Sequence, residues 1–74
     1  MSKFSRGRCK LNDLILSRGW THEKYADISG RSARMISYFC RNERTMLPED
    51  IYTAMKIFKC GIEEIYEFIE NAAD

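Results

Sequence analysis

Apolar residues recur along this chain at helical spacing, and the strict alternation of a half-buried strand is absent, which predicts five short helices. The first covers about Cys9 to Arg18, with Leu11, Leu14 and Ile15 as its inward stripe and Gly19 suited to the left-handed position that follows. Thr21 is placed to cap a second helix, about His22 to Ser29, with Glu23 in the first turn and Tyr25, Ala26 and Ile28 inward. Gly30 ends it. Ser32 caps a third, about Ala33 to Cys40, with Met35, Ile36, Phe39 and Cys40 on one face. The opposite face and its edges carry Ala33, Arg34, Ser37, Tyr38 and Arg41. After a polar turn, Leu47-Pro48-Glu49-Asp50 opens a fourth helix that turns Ile51, Ala54, Met55 and Phe58 inward. Gly61 precedes a fifth, about Ile62 to Ala72, on which Ile62, Ile65, Tyr66 and Ile69 share a stripe that leaves Phe68 over.

A chain of 74 residues is one domain, and it is short enough that a partner subunit would help its burial. The expected organisation is a basic N-terminal arm over residues 1–8, carrying Lys3, Arg6 and Arg8, followed by an all-α body over residues 9–72. The formal charge of +1 hides a split, because residues 1–44 carry +6 and residues 45–74 carry −5. Such asymmetry points to a nucleic-acid face on the basic side. Cys9, Cys40 and Cys60 are odd in number and scattered, which argues for buried thiols in a reducing compartment and against disulfides. No cysteine lies within metal-ligand spacing of another or of His22, so no metal and no cofactor is expected. One histidine, without clustered carboxylates or a phosphate-binding glycine loop, leaves no basis for an enzyme. No apolar run approaches a membrane span and no secretory leader is visible, so a cytoplasmic, nucleoid-associated protein is expected.

The most informative stretch is Thr21 to Phe39. Ala26 lets two helices approach, Gly30 permits a positive φ in the turn, and Ile36 seals the angle between them, as a helix-turn-helix requires. With its flanks, "LNDLILSRGWTHEKYADISGRSARMISYFCRNER" is similar to the first three helices of the Cro/phage-repressor type of domain, the lambda-repressor-like or xenobiotic-response-element family. "DIYTAMKIFKCGIEEIYEFI" resembles that family's closing pair, and "CGIEEIY" its habitual ending. The chain departs from the family at four points. His22 replaces a usual Gln, Tyr25 a frequent Leu, Cys40-Arg41-Asn42 a Glu-Asn-Gly, and Lys59 the Gly after the fourth helix.

The resemblance implies a compact five-helix domain whose second and third helices form the DNA-binding unit. The third would enter the major groove while the second crosses the backbone. Base readout would then fall to Ala33, Arg34, Ser37 and Tyr38, with Arg34 able to donate two bonds to guanine O6 and N7. Phosphate contacts would come from Thr21, His22, Arg31, Ser32, Arg41, Asn42 and Arg44, and the arm would reach round the duplex. The apolar excess on the last helix suggests a homodimer interface through Ile65, Phe68 and Ile69, hence a palindromic operator. The expected function is a sequence-specific double-stranded DNA-binding regulator, a repressor of bacterial or phage type. With no second domain, no small-molecule ligand is expected. The alternative is a protein-binding adaptor or inhibitor that reuses the same fold.

Overall fold

The computed structural model describes residues 3–71. Its elements run in the order β1 (Phe4–Cys9), α1 (Leu11–Ser17), α2 (His22–Ser29), α3 (Ala33–Cys40), α4 (Pro48–Phe58), a single 3-10 turn (Ile62–Glu64) and β2 (Tyr66–Glu70). The helix boundaries follow from local chemistry. Thr21 Oγ1 accepts from the Lys24 N–H at 3.1 Å and Ser32 Oγ from the Met35 N–H at 3.2 Å, so α2 and α3 each start on a side-chain cap. Gly30 closes α2 at φ 86°, where a β-carbon would be strained. Lys59 adopts the same left-handed region, at φ 54°, after α4. A lysine there costs on the order of 1 kcal/mol more than a glycine.

The all-α expectation is corrected. The chain folds as four helices with a two-stranded antiparallel ribbon, β1 against β2, in the register Phe4↔Glu70, Ser5↔Ile69, Arg6↔Phe68 and Cys9↔Tyr66. The expected fifth helix is instead the 3-10 turn and β2, and the expected N-terminal arm is β1; Met1, Ser2 and Ala72 lie outside the described residues. Two physical reasons favour the strand. A helix over this stretch would set Glu63 four residues from Glu67, a like-charge pair that destabilises it. Its Ile, Tyr and Phe residues also suit a pleated surface once a partner strand is present. Phe68, surplus on a helical stripe, stands opposite Arg6 in the ribbon. A bulge between Arg6 and Cys9 brings Gly7 against Glu67, where a β-carbon would lie 2.6 Å from Glu67 Oε1.

The core gathers Leu11, Ile15, Tyr25, Ala26, Ile36, Phe39, Met46, Ala54 and Phe58 from the helices and loops, and Cys9, Ile65 and Tyr66 from the ribbon's inner end. The Tyr25 ring stacks on Phe58 with centroids 5.4 Å apart. Tyr66 Oη accepts from the Met46 N–H at 3.0 Å, and the Lys10 N–H donates to the Ile65 carbonyl at 2.6 Å, so the base of the ribbon is tied to the helical body. Ile28, expected inward, is exposed, as is Ile62.

Burial pushes the Cys40 thiol up to about 12 and raises Cys9, Tyr25 and Tyr66 as well. The folded chain therefore keeps a proton on Cys40 that the unfolded chain releases near pH 9. Its contribution to stability is complete below that pH and is lost as the pH rises toward 12. Urea titrations from pH 8 to 11 are expected to show falling stability, with a shallower fall in Cys40→Ala.

Candidate nucleic-acid interface

The α2–turn–α3 unit presents one exposed helix face. Arg34 sits on it in the first turn of α3, exposed, its side chain in no hydrogen bond or ion pair among the described residues. Ser37, three positions on, shares that face. Ala33 is half-buried and packs against the core, so only part of its methyl group is open. At the end of α3, two guanidinium groups approach the Tyr38 ring, those of Arg41 and Arg44, each 5.6 Å from its centroid. Both arginines are exposed, and Arg41 also reaches Glu43 at 3.5 Å. Thr21 and Ser32 use oxygen lone pairs for capping, which leaves each hydroxyl proton free to donate outward.

His22 holds three helices together. Its Nε2 lies 2.8 Å from Asn12 Oδ1 on α1, and its Nδ1 lies 3.1 Å from Ser37 Oγ on α3. Both ring nitrogens are therefore engaged inside the protein. Asn12 was not among the candidate residues; its place in the first turn of α1 is the signal that could have flagged it.

Arg31 and Asn42 take structural positions. Arg31 grips Asp50 with two bonds, Nε to Oδ1 at 2.6 Å and Nη2 to Oδ2 at 3.0 Å. Asp50 is only 8% exposed, and its Oδ2 also accepts the Leu47 N–H that opens α4. The carboxylate thus ties the start of α4 to the α2–α3 turn, and Arg31 is turned toward it. Asn42 stands at φ 61°, which asparagine tolerates well, and its Oδ1 accepts from the Cys9 N–H at 3.1 Å.

The expected arm cations all face partners on or beside the ribbon. Lys3 lies 3.9 Å from Glu70, Arg8 lies 3.4 Å from Asp13, and the Arg6 guanidinium sits 5.2 Å from the centre of the Tyr66 ring. Folding thus lays the basic N-terminal segment against the acidic C-terminal one. The +6 and −5 halves therefore do not form two separate poles, and of the cations on and just after α3, Arg34 and Arg44 are in no ion pair among the described residues.

Of the expected dimer residues, Ile65 is fully buried in the core and cannot meet a partner. Phe68 and Ile69 remain 43% and 48% exposed, on opposite faces of β2. Phe4, beside them on β1, is also exposed. Among the described residues, no helix is long and apolar enough to cross a membrane and no group of three His, Cys, Asp or Glu could hold a metal. Comparison with protein-family models, curated proteins and solved structures finds no match to this chain, so the family resemblance rests on the motif residues alone.

Proposed function

We propose that this chain is a sequence-specific double-stranded DNA-binding regulator that reads the major groove with α3. The observation that carries the reading is Arg34. It is an unpaired, exposed guanidinium on the second helix of a capped helix-turn-helix, flanked one turn later by the Arg41–Tyr38–Arg44 cluster. The fork of Arg34 suits guanine O6 and N7. Arg41 and Arg44, with the hydroxyls of Thr21 and Ser32, suit phosphate oxygens. Repression, by occupancy of an operator, is the mode that needs nothing beyond such a domain.

A random duplex library incubated with the full chain is expected to yield one enriched site. Affinity for it should fall roughly 12-fold for one protomer and roughly 150-fold for a dimer between 50 and 200 mM salt, the dependence of about two arginine–phosphate contacts per protomer. No enrichment, with capture of a defined protein partner instead, would establish the adaptor reading in its place.

The same proposal includes a homodimer on a palindromic site. Exposed Phe68 shares one face of the ribbon with exposed Phe4, Ile69 stands on the other face, and the strand edge is open, so a second copy that pairs along that edge would cover Phe68. Phe68→Glu is expected to lower the sedimenting mass from dimer to monomer and to abolish paired half-site footprints. An unchanged mass and footprint would move the interface elsewhere.

A further inference from the structure

The chain of hydrogen bonds through His22 sets the direction in which Ser37 can bond. Asn12 Oδ1, 2.8 Å from His22 Nε2, has no proton to give, so Nε2 carries the ring proton. In the neutral imidazole Nδ1 is then an acceptor, and the only proton within reach is that of the Ser37 hydroxyl, 3.1 Å away. Ser37 Oγ is left with two lone pairs and no proton for any further partner. Its side chain is half-exposed and lies three positions from Arg34, on the face that the proposed function assigns to the groove.

Resting on that DNA-binding reading, we propose that His22 is a positioning residue that makes Ser37 an acceptor-only reader. Ser37 thereby selects the exocyclic amino group of adenine or cytosine and disfavours the carbonyl edge of guanine or thymine. The major groove offers this contrast directly: adenine N6 and cytosine N4 donate, while guanine O6 and thymine O4 accept. A serine with a free hydroxyl bonds either kind and discriminates little. Here the interior of the protein has already taken its donor. The specificity at this position is therefore set one layer behind the groove, by residues of α1 and α2 that touch no base.

The test uses the full chain. Nitrogen-15 spectra of the His22 ring at pH 8 are expected to show a protonated Nε2 and a hydrogen-bond-accepting Nδ1. A proton on Nδ1 means the Asn12 amide is donating and Ser37 accepting, which overturns the proposal. Duplex selection is then run with the native chain, Ser37→Ala, Ser37→Thr and His22→Phe, each checked for an unchanged helical spectrum. One operator position is expected at which the native chain and Ser37→Thr prefer adenine or cytosine roughly fivefold, the worth of one neutral hydrogen bond. Ser37→Ala and His22→Phe are expected to lose that preference while enriching the rest of the site. Replacing the preferred base by its analogue without the amino group, purine or 2-pyrimidinone, should reproduce the alanine loss. A preference for guanine or thymine there, or no position that responds to Ser37→Ala, overturns this inference and leaves DNA binding standing. If no duplex is enriched at all, the DNA-binding reading falls and this one with it.

Discussion

Arg34→Ala is expected to weaken binding to the selected operator about 10- to 100-fold and to flatten base preference at one position. The arithmetic is that of one bidentate contact to guanine, about 1–3 kcal/mol of discrimination. Because Arg34 is exposed and its side chain makes no hydrogen bond, ion pair or ring contact among the described residues, the same change should leave the unfolding free energy within about 0.5 kcal/mol of the native value. Arg34→Lys separates charge from geometry: the ammonium restores the salt dependence but not the fork, so affinity recovers in part while the base preference stays flat. Titration of native, alanine and lysine forms against operators changed at each position checks all three statements. A selection profile unchanged by Arg34→Ala would remove Arg34 from base readout.

The largest effect on stability is expected from Asp50→Ala, a loss of about 2–4 kcal/mol in urea denaturation. Asp50 is buried and takes three bonds at once, two from Arg31 and one from the Leu47 N–H. Removing it uncaps α4 and deprives Arg31 of its partner. A cap is worth about 1 kcal/mol and hydrogen bonds to a charged group about 1.5–3 kcal/mol. Against a total of roughly 4–11 kcal/mol for a chain of this length, that is a large fraction. The companion change Arg31→Met distinguishes a structural arginine from a phosphate contact. It should lower the denaturation midpoint and leave the salt slope of DNA binding unaltered; a shallower slope would return Arg31 to the phosphate set.

The contrast between Arg34 and Arg31 marks how far the sequence could be read. Arg34's exposure follows from helical phase, since Met35, Ile36 and Phe39 occupy the other side of α3. Arg31's partner lies 19 residues away and Asn42's lies 33 away, across turns whose geometry no local pattern encodes. The same division holds for the fold. The α2 and α3 boundaries at His22–Ser29 and Ala33–Cys40 match expectation because Thr21, Ser32 and Gly30 act on groups within four residues of themselves. The ribbon was not legible because Ile65, Tyr66 and Ile69 fit one stripe of a helix as well as they fit a strand. What decides between them is Phe4–Cys9 at the opposite end of the chain. The surplus Phe68 was the trace of that choice. Counting charge by halves of the chain misled for a related reason, since Lys3 ends beside Glu70.

The ribbon also determines how the molecule responds to being pulled. Residues 3 and 71 lie side by side at its tip, where the Asn71 N–H donates to the Lys3 carbonyl at 2.7 Å. Tension applied between them acts across the strands, so the ribbon unzips one pair at a time, Phe4–Glu70 first, then Ser5–Ile69 and Arg6–Phe68. The tear stops at Cys9 and Tyr66, where buried packing and the bond from the Met46 N–H to Tyr66 Oη must yield together. The exposed outer ribbon is thus a tear strip ahead of the helix-turn-helix, able to open while Thr21, Ser32 and Arg34 keep their places.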